Sequence, residues 1–455
     1  MKECYNMEAM EQIRVPRRIL TALLASLAAG VVPRTGAPYV AIGREEEIGA
    51  FLSDLENISE GGAAMRFLIG RYGSGKSFLM QLVRGYALER NFITADADLT
   101  PERRLYGTGG SGVATYRELM KNLASKASPD GGALPKLIAR WIGELQSEIG
   151  AEDPTGERLQ RAVSDTLRDV EFMVGGFDFA RVIAAYYQAY LADDEDKMSA
   201  CLCWLRGEFS SKTEARHALG LHVSLIIDDE NWYDFIKLWA VLVRKLGYRG
   251  LVVFVDECVN LYKISHRTSR ENNYEKILSM FNDALQGKAE GLLLVLGGTP
   301  QFLEDPRRGL FSYEALRSRL ADSRFSDAEF KNLIGPVIRL RRLSDDELYA
   351  LVRRVTVLYA QQYGKEPRIT AEEQVRFLSL CLGRAGAGEL MTPREILRDY
   401  MTVLNILMQN ENADFDTLAA RVTGGGAAAP ETPKTEESAE TVSKKSNFDP
   451  NDIIL

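Results

Sequence analysis

The residues with the clearest chemical potential lie between Met65 and Leu79, in the stretch MRFLIGRYGSGKSFL. Gly70-Arg71-Tyr72-Gly73-Ser74-Gly75-Lys76-Ser77 fits the spacing G-x-x-x-x-G-K-[ST], and Phe78 follows directly. Gly70, Gly73 and Gly75 carry no Cβ, so the backbone can wind with its N–H groups turned onto phosphate oxygens. Lys76 would then reach the β- and γ-phosphates of a nucleoside triphosphate, and the Ser77 hydroxyl would ligate a metal. The chemistry implied is the binding of a nucleoside triphosphate with Mg²⁺.

A second group of residues answers the metal requirement. Gly250 precedes Leu251-Val-Val-Phe-Val255, five apolar residues of high β-propensity, and Asp256-Glu257 follow. That run reads as a parallel strand buried on both faces. At its carboxyl end Asp256 would join Ser77 in the Mg²⁺ shell, and Glu257 would polarise the attacking water as a general base. The bland alternative is a buried strand that ends in a pair of capping carboxylates.

Other elements must position these groups. Phe67-Leu68-Ile69 reads as a strand into the loop; Phe78, Leu79, Leu82, Val83 and Tyr86 recur at helical spacing after it, the context of a P-loop. The helix beginning near Lys76 offers its positive end to the same anion. Further strands are expected at Phe92–Asp98, Gly291–Thr299 and Val337–Leu340. Between the second and third of these core strands the pattern is helical, predicting an α-helical insertion. Within it, Leu225-Ile-Ile-Asp228-Asp229-Glu230 reads as a helix start with Asp228 or Asp229 as N-cap. Cys201-x-Cys203 with His217 and His222 has a faint zinc-finger look, but one residue between cysteines is too few, and the apolar context favours core cysteines. Ser344-x-x-Glu347, Thr370-x-x-Glu373 and Thr392-Pro-Arg-Glu395 are three capping boxes that announce C-terminal helices.

Composition sets the outer bounds. The chain has 455 residues, 45% of them apolar, enough for two or three domains with real cores. A formal net charge of −8 argues against a general nucleic-acid coat protein while leaving room for a local basic groove. Cys4, Cys201, Cys203, Cys258 and Cys381 are scattered with no pairing framework, which suits a reducing cytoplasm. Arg14, Arg17 and Arg18 before the apolar run from Ile19 to Gly30 look like a secretory leader. The upstream Glu3, Glu8 and Glu11, and the helical stripe Leu20, Leu23, Leu24 and Leu27, favour a packed helix instead. That run is too short to span a bilayer, so no membrane role is expected.

Two levels of resemblance add to this reading. Tyr39-Val-Ala-Ile-Gly-Arg-Glu-Glu-Glu-Ile48 resembles the "GRE-E" box that precedes the P-loop in AAA+ and related ATPases. That resemblance implies that Val40 and Ile42 line the adenine pocket and that Gly43 and Arg44 shape the turn. By the same likeness Thr299 takes the "sensor 1" place at a strand tip, although it could simply cap the turn before Pro300. In the arginine-rich stretch holding Arg307, Arg308, Arg317, Arg319 and Arg324, Ala315-Leu-Arg-Ser-Arg-Leu320 resembles the segment that supplies an arginine finger to a neighbour, with Arg319 the candidate. A solvated helical arginine is the alternative. Arg394 matches "sensor 2" in a helical lid. The implied fold class is α/β: a P-loop NTPase, AAA+-like and of the additional-strand type, with a parallel-sheet core, a large α-helical insertion and a C-terminal helical lid. The expected divisions are an N-terminal helix (1–36), the core (37–100 and 236–342), the insertion (101–235), the lid (343–423) and a disordered tail (424–455).

At the second level, "GREEEI", "GRYGSGKSF", "DADLTPERRLYG", "ATYRELMKNLA", "GYRGLVVFVDECVNLYK" and "GGTPQFLED" together resemble the BrxD family of ATP-binding proteins from bacterial bacteriophage-exclusion (BREX) systems. That likeness implies an ATPase working in a defence complex, on DNA, with a helicase or ATPase partner or as a homo-oligomer. A slow nucleotide switch that scaffolds partners is one alternative. Another is a replication-initiator-like DNA loader, which the basic residues Arg339, Arg341, Arg342, Arg353 and Arg354 would serve.

Overall fold

The computed structural model describes residues 14–149, 157–321, 332–383, 391–413 and 415–422. Cys4, the acidic residues at positions 3, 8 and 11, Arg324 and the tail from 424 lie outside the described residues. Five strands, β1 (Ala64–Ile69), β2 (Ile93–Asp98), β3 (Leu251–Asp256), β4 (Leu292–Gly298) and β5 (Val337–Arg339), form one sheet in the order β2-β3-β4-β1-β5. Every pairing is parallel. The chain is therefore mixed α/β.

The apolar strand runs explain why both faces are covered. Side chains alternate across a strand, so a continuous hydrophobic run feeds two cores at once. Phe67, Leu251, Val253, Val255, Leu292, Leu294 and Leu296 enter one buried cluster. Their neighbours Leu68, Val252, Phe254, Leu293 and Val295 enter another, with Phe51 and Leu55 of the helix Glu45–Ser59 and Leu79, Leu82 and Val83 of the helix Lys76–Glu89.

Helices of the segment between β2 and β3 join the first cluster, which makes them continuous with the sheet's core. The Tyr116 hydroxyl donates to the Leu205 carbonyl at 2.7 Å and accepts from Trp239 Nε1 at 3.0 Å, pinning three helices with one side chain. The helix Lys212–Leu219 was not anticipated, although Ser211-x-x-Glu214 opens it: the Ser211 hydroxyl accepts the Glu214 N–H. One expectation needs correction. Asn231, without a side-chain cap bond, is the N-cap of Trp232–Lys245. Asp229 instead accepts the N–H groups of Gly110, Gly112 and Val113, satisfying the start of the distant helix Ser111–Lys121. Asp228 serves its own turn, accepting from Glu230 and Asn231. A cap can be recruited across space, and local spacing does not reveal that.

A third cluster unites an early helix with helices from the last part of the described residues. Leu20, Leu23, Leu24 and Leu27 of the helix Arg17–Ala28 pack with Leu348, Val352 and Val355 of Asp345–Tyr363 and with Ile396, Tyr400 and Leu404 of Pro393–Gln409. All three expected capping boxes form at Ser344, Thr370 and Thr392. No helix among the described residues is long and apolar enough to cross a membrane.

Arg66 ties the edge of this assembly together. Its Nε and Nη2 reach both oxygens of Asp54 at 2.7 Å, and Nη1 meets the carbonyls of Leu333, Ile334 and Gly335 ahead of β5. Both side chains are buried. Removing one partner of a buried, hydrogen-bonded pair strands the other charge, at about 3–5 kcal/mol, whereas replacing both can be nearly neutral. Asp54→Ala should therefore lower the denaturation midpoint sharply, and Asp54→Ala with Arg66→Met should regain most of it. Equal losses in the single and double variants would contradict this account.

Candidate functional site

The glycine-rich loop leaves β1 and turns directly into the helix Lys76–Glu89. Gly73 and Gly75 hold left-handed backbone angles, φ +75° and +91°. A Cβ on Gly73 would also lie 2.2 Å from Thr392 Cγ2, and one on Gly70 would lie 2.2 Å from Ser74 Oγ. These contacts explain why the side chain is missing at each position. The Lys76 ammonium donates to the carbonyls of Gly70 at 2.9 Å and Arg71 at 3.2 Å. Burial lowers its pKa, while Asp256 and Glu257 pull the other way. The first N–H groups of the helix that Lys76 opens have no intrahelical acceptor, which leaves them for an anion.

The acidic residues at the end of β3 stand beneath this loop. Ser77 Oγ donates to Asp256 Oδ2 at 2.7 Å. Asp256 Oδ1 accepts the Glu257 N–H at 2.8 Å. Gly297 of β4 is the residue that makes room, since a Cβ there would sit 2.3 Å from Asp256 Oδ1. Glu257 has φ +57°, an uncommon backbone region for a residue with a side chain. Partial burial, then Asp256, raise its carboxyl pKa; Lys76 opposes them and Asp98 adds to them. Asp98 pairs directly with Asp256 across β2 and β3, and its own carboxyl is raised by partial burial and by Asp256. A hydroxyl and a carboxylate oxygen converging at the foot of a phosphate-type loop make a hard, all-oxygen donor set, which fits Mg²⁺.

A cavity of about 310 Å³ opens from the loop toward the C-terminal helices. That is within the range of small-molecule sites. Lys76, Ser77, Glu257 and Arg394 supply its polar wall; Val40, Ile42, Leu351 and Leu397 supply apolar wall. Leu27 and the turn from Gly30 to Pro33 also line it. That contribution of the N-terminal helix went unread in the sequence because its apolar stripe signals packing and nothing more.

Arg44 braces this cavity. Buried at 4% exposure, its Nη2 donates to the Ser74 carbonyl at 2.9 Å and to the Arg341 carbonyl at 2.8 Å. Burial lowers its pKa, with Glu47 opposing. The Arg341 guanidinium in turn meets both carboxylate oxygens of Glu347 in the first turn of Asp345–Tyr363. Burial alone would raise the Glu347 pKa, but the bonds from Arg341 and Ser344 outweigh it and the net shift is downward. Gly43, at φ +68°, completes the contact: a Cβ there would lie 2.3 Å from Glu347 Oε1.

The remaining candidates fall in different places. Tyr72 lines the cavity mouth at 80% exposure, and Phe78 is half-buried on its wall. Arg71 is exposed and lies outside that lining. Thr299 directly follows β4, the strand between β1 and β3, and its hydroxyl accepts the Phe302 N–H at 3.3 Å as the cap of Pro300–Glu304. Arg319 is exposed on the helix Glu314–Leu320 and donates to the Ala315 carbonyl of its own helix, away from the cavity. Thr392, Glu347 and Gly297 were not singled out as site residues from sequence. Only the two capping boxes drew attention to the first pair, and nothing local marked Gly297. Cys201 is buried, with its thiol pushed up to about 12 by burial.

Gly43→Ala should disturb the brace without touching the phosphate loop. A left-handed backbone costs a residue with a Cβ about 1–2 kcal/mol before the overlap with Glu347 is counted. The melting temperature should drop, and shortening the opposing side chain in Gly43→Ala with Glu347→Ala should not relieve the backbone part. Unchanged melting in Gly43→Ala would argue against a tight contact.

Residues 15–423 match the family described as BREX system ATP-binding protein BrxC/D. No curated protein matches the chain. The matched region takes in nearly all the described residues, and the chain belongs to the BREX system ATP-binding protein BrxC/D family.

Proposed function

We propose that this chain binds Mg-ATP in the cavity above Lys76 and Ser77 and hydrolyses it to rearrange a BREX-type phage-defence complex in the cytoplasm. One observation carries the reading: Ser77 Oγ lies 2.7 Å from Asp256 Oδ2, joining residues 179 positions apart beneath one phosphate-type loop. In this reading Gly70 to Ser77 cradle the phosphates, Lys76 meets the β- and γ-phosphates, and Phe78, Val40 and Ile42 flank the base. Ser77 and Asp256 hold Mg²⁺, which when bound neutralises charge developing on the phosphoryl oxygens. Glu257 takes the proton of the attacking water. Arg394, on the cavity wall, faces the triphosphate from the C-terminal helices.

The strand order β2-β3-β4-β1-β5 supports an AAA+-like, additional-strand core, because it sets β4 between the loop strand and the acidic strand. Thr299 then contributes from the tip of β4 with whatever hydrogen-bonding capacity its capping role leaves. The division into N-terminal helix, core, insertion, lid and tail belongs to the same proposal. Arg319 is turned to solvent in its own chain, which supports a role across a boundary: supplied to a neighbouring copy or to an ATPase partner.

Steady-state hydrolysis and nucleotide binding test this directly. Lys76→Ala should lose nucleotide affinity. Glu257→Gln should keep affinity and lose turnover by about 10²–10⁴, the usual share of a general base. If Glu257→Gln turns over at the wild-type rate, hydrolysis does not run through this residue. Arg319→Ala should lose about 10³–10⁵ in turnover, as finger arginines do. Mixing Arg319→Ala with Lys76→Ala chains should restore part of it, because one neighbour then offers an intact loop and the other an intact arginine. No recovery on mixing would remove Arg319 from the mechanism.

A further inference from the structure

A second cleft, of about 340 Å³, lies beside the phosphate loop and shares only Ser74 with the first cavity. Arg71, Arg339, Arg341 and Arg342 are four of its nine lining residues, and no lining residue is acidic. The sequence dictates this concentration. Arg339-Leu340-Arg341-Arg342 runs out of β5 in extended form, so burying Leu340 turns Arg339 and Arg341 to the same side. Arg339 also meets Glu304 and Arg341 meets Glu347, carboxylates that are not among the lining residues.

Ser74, which stands between this cleft and the first cavity, adds a second observation. It is 3% exposed, and its hydroxyl has no hydrogen-bond partner among the described residues. A buried polar group without a partner is costly, and such groups in a native fold call for a ligand, a water or a rearrangement. Here the unpaired hydroxyl belongs to a residue that walls a cleft bearing four guanidiniums. Planar guanidinium forks match phosphate oxygens in pairs, and a serine hydroxyl can donate to a third oxygen.

We propose that this cleft, which takes Gly70, Arg71 and Ser74 from the phosphate loop and its guanidiniums from Arg71 and the segment after β5, binds a phosphate group, from a nucleic-acid backbone or from free polyphosphate, in addition to the nucleotide in the first cavity. Arg353 and Arg354, on the helix Asp345–Tyr363, line neither cleft and are not part of it. The proposal goes beyond the ATPase reading and does not depend on it.

The test uses the full chain as wild type, Lys76→Ala, Arg339→Gln, Arg342→Gln and Arg342→Lys, with thermal melting to check that each folds. Binding of a labelled single-stranded oligonucleotide is followed by anisotropy across a salt series, and binding of inorganic pyrophosphate by calorimetry. If the ligand is nucleic acid, Lys76→Ala binds the oligonucleotide as wild type does. Each Arg→Gln change lowers the slope of log affinity against log salt by about 0.7, and Arg342→Lys keeps it. If the source is a free phosphate, only pyrophosphate binds, and Arg342→Gln loses it while Lys76→Ala retains it. The proposal is overturned if wild type binds neither probe or if the Arg→Gln variants bind as wild type does. It is equally overturned if binding vanishes in Lys76→Ala and ignores Arg342→Gln. Failure of the ATPase reading would appear separately, as wild type that takes up no ATP.

Discussion

The hydrogen bond from Ser77 to Asp256 can form only if β1 and β3 end at the same height with a single strand between them. That is a constraint on the whole sheet, since β4 must be parallel to both and carry no side chain where the carboxylate passes. Register supplies the first condition: β1 pairs with β4 from Ala64↔Leu293, and β4 pairs with β3 from Leu251↔Leu292. Gly297 supplies the second, because any Cβ would strike Asp256.

The cavity above the sheet is closed by parts remote from the loop in sequence. Arg44 joins the loop carbonyl of Ser74 to the Arg341 carbonyl, and Arg341 grips Glu347 in the first turn of a C-terminal helix. A shift of that helix relative to the loop would therefore strain a buried guanidinium whose carbonyl partners lie on two separate segments. The helix Arg17–Ala28 packs against the same C-terminal helices, so the three form one wall.

The helices between β2 and β3 are bound into the fold more tightly than a surface appendage would be. Tyr116, Trp232 and Trp239 are buried in the cluster that also holds one face of the sheet. Asp229 and Asn273 cap backbone N–H groups on either side of the β2 exit loop, at Gly110 to Val113 and at Leu105 and Tyr106. That loop follows Asp98, the strand end beside Asp256, so the packing of the helices between β2 and β3 bears on the acidic end of the sheet. Movement of these helices has a short mechanical route to the acidic residues.

Much of this was legible in the chain because the relevant signals are contiguous. The loop, its strand and helix, the β3 run and the three capping boxes each depend on residues within a few positions, and local backbone physics acts over that distance. Other features depend on meetings across space. Asp229 caps a helix far from its own, Leu27 and Val31 wall a cavity, and Arg44 finds two carbonyls from separate segments. Gly297 looks like any glycine at a strand end until Asp256 arrives beside it. By itself the sequence determined the element types and the chemistry available at each, since propensity, periodicity and glycine freedom are properties of short stretches. Only the tertiary structure decided which groups converge and which stay apart, as with Arg319, because long-range packing sets those distances and no local pattern encodes them.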